Sequence, residues 1–429
     1  MANAFNKEER VAFESILEGF SDALVMSKAV NRFDTDATEM ERSGSVIWRP
    51  MPYIAQSADS SPGTDITIPD VTQLSVPSTI GFQKTSPWAL NTNQLNDALR
   101  EGSLGKAASQ KLASDINVAL TNLAALQGTL VVKSTTASAS ATFNDIALAD
   151  SLMNESGIPQ MDRFLAISSR ANNGLANDLG KSTRCLDNSK SLDAYERAKV
   201  GFVSGFDVLK LDYGKRGTAA AGGASITIAT TSTTNNYVPK ATSTSVGGQI
   251  NVDNRTQSVV VSSTTSVAAG DSFTIAGVQN VHPITKEPTG QLKTFRVISV
   301  TDSTHMVISP PLISASSSPT DAEKQYKNCE FVTTSGTAAI VWLNIAATSI
   351  NPFWYKPAFE ILPGRIAVDS GAGMEVIRGT TEGNGRGIEV VMSKQWNLKS
   401  HVMQYRLDTR FGVVCTNPEF AGILLFDQT

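Results

Sequence analysis

Apolar residues first recur at helical spacing in residues 7–31. Phe13, Ile16, Leu17, Phe20 and Leu24 fall on one side and predict an amphipathic helix. Glu14, Glu18 and Asp22 step by four along another face, which reads either as a solvated face or as a contact for a basic partner. Residues 45–54 predict a strand that ends in prolines. Residues 55–87 are rich in Ser, Thr, Pro and Asp, and 65–76 alternate apolar and polar as a half-exposed hairpin does. Such an arm projects from its domain and can add to a neighbour's sheet. Residues 92–127 give the longest helix signal, through Leu95, Leu99, Leu112, Ile116, Ala119, Leu120 and Leu123. Asn91 stands at its cap with Gln94 three residues on, and Gly128 stands at its stop. Gly102 and Gly105 weaken the first third and are placed to bend it. The predicted helix is about 54 Å long.

Farther on, helices are predicted at 144–156 and 191–199, a strand at 163–168, and a strand kinked by glycine at 202–212. Mixed helices and strands indicate an α/β or α+β body. The composition then changes. Residues 217–236 carry no charge, and short β patterns follow at 256–262, 272–276, 292–300 and 305–309. Turn residues separate them (Asn254, Gly270, Gly277, Asp302, Pro310) and no helix signal intervenes, so 215–346 reads as a small barrel or sandwich inserted in the body. Strands are again predicted at 388–393, 400–414 and 422–426. The second is long enough to pass between sub-domains. No internal repeat is visible.

Composition narrows the function. The chain has 429 residues, with 36 Lys+Arg against 40 Asp+Glu, a net charge of −4. That excludes a strongly basic nucleic-acid binder held by bulk electrostatics. Charged residues are only 18%, below the usual quarter, and Ser, Thr, Asn and Gly fill the difference. Such surfaces suit β structure and large buried contacts. The N-terminus lacks a basic region followed by an apolar core, so no signal peptide is expected. No run approaches the ~20 apolar residues of a membrane span. Cys185, Cys329 and Cys415 are far apart and form no C-x-x-C, which predicts free buried thiols in a reducing compartment.

Catalytic patterns are missing. There is no G-x-S-x-G elbow, and Gly201-Phe-Val-Ser-Gly displaces its serine. The Gly-Lys pairs at 105, 180 and 214 lack the earlier glycine of a phosphate loop. Gly383-Asn-Gly-Arg-Gly precedes a strand rather than a helix and reads as a surface loop. His282, His305 and His401 form no metal set. No catalytic residue, cofactor or metal is expected. Trp48, Trp88, Trp342, Trp354 and Trp396 read as core or contact anchors.

A series of strings, in order, carries a resemblance: Val46-Ile-Trp-Arg-Pro50, Val203-Ser-Gly-Phe-Asp-Val-Leu, Asn251-Val-Asp-Asn-Arg255, Gly270-Asp-Ser-Phe-Thr-Ile-Ala-Gly-Val278, Thr294-Phe-Arg-Val-Ile and Asn351-Pro-Phe-Trp354. The run from Tyr405 to Val413 and Asn417-Pro-Glu have the same character. Together they span nearly the whole chain. The chain resembles the major capsid (coat) protein of tailed bacteriophages, most closely the coats of short-tailed temperate phages with an inserted β-barrel.

The resemblance implies an α+β capsid fold with these parts: an N-terminal arm at 1–42; an extended loop at 55–86 that overlaps the adjacent subunit; a peripheral domain at 43–54, 87–128 and 394–429 with its spine helix at 92–127; an axial domain at 129–214 and 347–393; and the barrel at 215–346. It implies a structural protein of the icosahedral head, procapsid then expanded capsid, built in the host bacterial cytoplasm as pentamers and hexamers. Its partners would be a scaffolding protein, a portal protein and packaged double-stranded DNA without sequence-specific contact, with no membrane. On the arm, Glu14, Glu18 and Asp22 would meet a basic scaffold end. Asp65, Ile66, Ile68, Val71 and Leu74 would make inter-subunit contacts. Asn235, Asn236, Tyr237 and Lys240 lie in the loop the family uses between capsomers. That loop, roughly 231–250, carries a single charge, Lys240, which argues against family salt bridges from it. The recognisable arm starts near Asn6, so no cleavable leader is expected. Only Lys84 stands near the base of the extended loop, which favours a non-covalent shell over a cross-linked one. The alternative is a β-rich phage tail or adhesin-type binding protein, which the inserted β domain alone would suit and the long helix would not.

Overall fold

The computed structural model describes residues 7–33, 46–52, 54–55, 65, 69–91, 93, 98–134, 141–181, 200–211, 213–222, 226–229, 235–314, 319–331, 336–367, 374–381 and 387–428. The chain divides into two compact units. One comprises residues 1–47, 77–121 and 359–414, and the other 48–76, 122–358 and 415–429.

The first unit is built on a six-stranded sheet. Its order is Asn31–Arg32, Phe359–Gly364, Val402–Cys415, Glu389–Asn397 and Glu375–Thr380, with Phe82–Asn91 also paired to Val402–Cys415. Trp88 stands opposite Tyr405 and Phe82 opposite Phe411. Both pairs stack, with ring centroids 5.5 and 5.3 Å apart, so cross-strand aromatic contact helps fix the register. Helix α1 (Lys7–Ala23) buries Phe13, Ile16 and Phe20, the face its periodicity predicts. Phe13 and Leu17 lie on Gly379, where a Cβ would sit 2.7 Å from the Phe13 ring and 2.9 Å from Leu17. Lys394 Nζ ties the helix to the sheet, 2.7 Å from Glu9 and 2.9 Å from Glu375.

The helix stops well short of residue 31. Asn117 donates to the Ala23 carbonyl (3.0 Å) and accepts from Met26 N–H (3.2 Å). Both groups are thereby withdrawn from the i→i+4 ladder. A 3-10 turn (Met26–Lys28) and a strand follow.

Helix α2 (Ala98–Gln127) is 30 residues long, and the division between the units falls within it, after Thr121. Asn91 ends the strand Phe82–Asn91, paired with Val402, and Gln94 lies outside the described residues. Gly128 does end the helix, but through close approach rather than a left-handed turn. A Cβ there would stand 3.0 Å from the Ala124 carbonyl oxygen and 3.1 Å from that of Gly422.

The second unit contains a mixed sheet in the order Leu130–Lys133, Ala421–Leu425, Ile350–Tyr355, Arg163–Ser168, Phe206–Leu211 and Phe202–Val203. Helices α3 (Phe143–Glu155) and α4 (Ser169–Lys181) supply Ile146, Met153 and Leu175 to a core shared with Leu165, Phe206 and Phe353. Asn351 is fully buried, and its Oδ1 accepts from Ser168 N–H at 2.8 Å, which joins two central strands. The segment expected as one kinked strand at 202–212 is a tight hairpin. Ser204 and Gly205 both take positive φ, which reverses the chain. The helix expected at 191–199 and Cys185 lie outside the described residues.

The inserted segment forms a seven-stranded sheet. Its order is Gln257–Val260, His305–Ser309, Pro288–Val300, Ser272–Val281, Thr337–Trp342 and Thr227–Ala229, with Cys329–Phe331 also paired to Ser272–Val281. Ile228 bridges to Val261, so the ends of the sheet meet and the barrel is nearly closed. Ile228, Val259, Phe273, Phe295, Val297, Met306, Ile308 and Ile340 fill it. It also holds a helix that the sequence does not predict, α5 (Asp321–Tyr326). Six residues are too few for a periodic signal. A capping box starts it: Thr320 accepts from Glu323 N–H, and Glu323 accepts from Thr320 N–H.

The sheets regroup the expected parts. Residues 359–393 pair with 402–415 and belong to the first unit, while 421–425 join the mixed sheet of the second. No helix among the described residues is long and apolar enough to cross a membrane.

Candidate assembly surfaces

On α1 the carboxylates of Glu14, Glu18 and Asp22 are all exposed, opposite the buried Phe13, Ile16 and Phe20. None of the three has a hydrogen-bond or ion-pair partner among the described residues. Glu9, one turn earlier, is already engaged by Lys394. The helix thus presents one anchored face and one free acidic face.

The extended-loop residues divide. Ile66 and Ile68 lie outside the described residues. Asp65 and Val71 are exposed. Leu74 is buried against Ile313 and Tyr326, with Met51, Ile54 and Tyr237 around it. Three hydrogen bonds seat this segment on α5: Asp70 N–H to Asp321 Oδ2 (3.0 Å), Thr72 N–H to Gln325 Oε1 (3.2 Å), and Tyr326 OH to the Thr72 carbonyl (2.8 Å). Leu74 therefore serves its own subunit. No local hydrophobic pattern signals this, because the hydrogen-bonding partners lie 251–254 residues away in the chain.

The four loop residues singled out at 235–240 form the root of a projection. Asn235 is buried, donates to the Ala229 carbonyl (2.6 Å) and accepts from Val260 N–H (3.1 Å). Asn236 joins Ser314 (2.9 Å) to Glu323 (2.7 Å). Tyr237 OH donates to Asn254 Oδ1 (2.9 Å), and burial beside Asp253 pushes its pKa up to about 12. Asn254 Oδ1 also accepts from Lys240 N–H (3.1 Å), and Asn254 Nδ2 donates to the Lys240 carbonyl (2.9 Å). Beyond this clamp runs a two-stranded hairpin, Thr242–Ser245 with Gly248–Asn251. Val246 at its tip is fully exposed and Ile250 is exposed. Sequence reading missed the hairpin, although Gly247-Gly248, both at positive φ, marks its turn.

The other chemical groups are dispersed. Cys329 and Cys415 are fully buried, and burial raises each thiol to about 12, so neither is a nucleophile. His282 accepts from Ile284 and Thr285 N–H, His305 pairs with Asp302, and His401 lies against Trp396. Among the described residues, no three His, Cys, Asp or Glu side chains converge as a metal site would require.

Known proteins supply the deciding observation. The profile of the family described as "P22 coat protein - gene protein 5" matches residues 1–427. The chain belongs to the P22 coat protein family. As a P22-type coat protein it is a structural component of a phage capsid, with the α+β major capsid fold and the inserted barrel. The adhesin-type alternative finds no support in this match. Similar solved structures include that of Mycobacterium phage Che8 (11% identity, covering 94% of this chain and 90% of that chain, TM-score 0.46). The capsid structure of the cyanophage P-SCSP1u is similar at 12% identity, with 93% and 86% covered and a TM-score of 0.42. The CUS-3 coat protein I-domain is 33% identical over 29% of this chain and 99% of that chain, with a TM-score of 0.22.

Proposed function

We propose that this coat protein works by tiling. Copies associate around five-fold and six-fold axes as pentamers and hexamers, assemble on a scaffolding protein and around a portal protein, and later expand as double-stranded DNA enters. The chain is made in the host bacterial cytoplasm, reads no DNA sequence, needs no cofactor and carries no catalytic site. The unit containing α1 and most of α2 takes the peripheral role, with 1–42 as its arm. The mixed-sheet body of the second unit takes the axial role, so 359–393 and 415–429 exchange places relative to the boundaries expected from sequence. The exposed Asp65 and Val71 of the extended loop and the Val246 tip of the hairpin at 242–251 meet neighbouring subunits. Asn235, Asn236, Tyr237 and Lys240 act as the hairpin's root.

One observation carries the scaffold contact: Glu14, Glu18 and Asp22 stand open on a helix whose opposite face is held. A basic scaffold segment would meet that stripe with complementary charge and at a salt-dependent rate. The test is Glu14→Lys with Glu18→Lys. The variant is expected to keep its circular dichroism and unfolding midpoint, yet form no shells with scaffold in negative-stain images. Unchanged co-sedimentation with scaffold would refute the contact. A wild-type chain that stays solitary at high concentration with any scaffold would refute tiling itself.

A further inference from the structure

The chain enters and leaves the inserted barrel through two strands side by side. Arg216 bridges Ser349, Ile350 N–H donates to the Lys215 carbonyl (2.8 Å), and Gly217 N–H donates to the Thr348 carbonyl (2.8 Å). Beside this neck lies a cavity of about 210 Å³, lined by Lys215, Arg216 and Arg296 and by the last turn of α2. Arg296 comes from the barrel and is fully buried. One of its terminal nitrogens donates to the Ala125 carbonyl, which satisfies a helix-end acceptor. Its Nε has no hydrogen-bond partner among the described residues. Lys215 Nζ and the Arg216 guanidinium also have no acceptor among the described residues.

Among the described residues, the carboxylate that acts on Arg296 is Asp271, and it is already occupied. Asp271 accepts from Ala268 N–H (2.9 Å) on one oxygen and from Asn344 Nδ2 (2.9 Å) on the other. Lys215 and Arg296 against one carboxylate leave a positive charge uncompensated inside, exposed Arg216 adds a second at the rim, and a buried guanidinium with an idle N–H is costly. The helix end explains a single donor of Arg296 and nothing about Lys215 or Arg216.

We propose that this cavity is a binding site for a phosphate-type oxyanion, held by Lys215, Arg216 and Arg296. A phosphate dianion matches the surplus charge, and its several oxygens suit donors arriving from three directions. Bound there, it fastens the neck, because its ligands come from the entering strand and from the barrel. Burial pulls the pKa of Lys215 down, and the charge of Arg296 adds to that pull; an anion between them would relieve both. The site is independent of the tiling role, and the phosphate has two sources, the free ion and the phosphodiester backbone of nucleic acid.

The test is equilibrium binding to the full-length unassembled chain, with inorganic phosphate in one arm and a short single-stranded oligonucleotide in the other, at matched ionic strength. Saturable binding of one phosphate per chain is expected, and Lys215→Gln with Arg216→Gln should weaken it at least ~10-fold. Those side chains are half-buried and exposed, so the variant should keep its circular dichroism, and Lys215→Arg should retain binding. Competition by oligonucleotide below the concentration of free phosphate needed would assign the source to the backbone; the reverse would assign it to the free ion. No saturable binding in either arm, or equal affinity in the Gln variant, would overturn the site.

Discussion

Lys286 shows how burial of one side chain sets a pH window. Its Nζ donates to the Lys327 carbonyl (3.3 Å). Burial lowers its pKa to about 8; Glu419 opposes the shift, while Lys327 and Lys293 reinforce it. In the unfolded chain the same ammonium titrates near about 10.4. Below about 8 both states are charged, and the folded state carries the cost of the buried ammonium. Between these values the unfolded chain binds the extra proton, so stability rises with pH across that interval. Lys286→Met should remove the rise, measured as the urea midpoint at about pH 7.5 and about pH 9.5. A variant whose midpoint climbs as steeply as wild type would assign the effect elsewhere. The same buried setting keeps Cys329 protonated at any working pH, so its alkylation should follow unfolding rather than thiol acidity.

Among elements, α1 depends on two glycines that are not equivalent. At Gly379 an added Cβ would meet the rigid Phe13 ring, whereas at Gly105 it would meet only the flexible end of Ile16. Gly379→Ala is expected to cost ~1–3 kcal/mol and to expose α1 to protease. Gly105→Ala should stay within about 1 kcal/mol of wild type, since alanine's helix propensity offsets the crowding. Equal losses at both sites, in denaturant unfolding and limited proteolysis, would show that α1 is not seated on Gly379. Elements of this kind are legible in sequence where one face repeats. Phe13, Ile16 and Phe20 on α1, and Leu112, Ile116 and Leu120 on α2, are buried as their spacing predicts. What ends an element is less legible. The stop of α1 is set by Asn117, distant in the chain, and the place of Leu74 is set by α5, itself too short to show a period. The acidic stripe could be read because it needs only a helix. The cation cluster at the neck could not, because Lys215 and Arg296 meet only through tertiary structure.

At the scale of the whole molecule, the inserted barrel carries an outward hairpin that contributes nothing to its core. The hairpin at 242–251 has exposed residues on both strands, and its root is clamped separately by Asn254. Replacing 243–250 by a two-residue turn should therefore leave the unfolding midpoint of the unassembled chain unchanged while lowering the yield and denaturant resistance of shells. Shells of wild-type yield would remove the hairpin from the lattice. Sequence boundaries could not anticipate which strands join which unit, because Val402–Cys415 finds partners both at 82–91 and at 389–397. The neck has a wider consequence. Since Arg216 and Ser349 are bridged neighbours, with Cα atoms about 5 Å apart as in any antiparallel pair, the chain passes into and out of the insert through a narrow doorway. A guest module whose two ends emerge equally close together could be spliced at the same doorway without stretching the host chain, at the loss of the bonds that Arg296 and Thr294 make to Ala125 and Thr129.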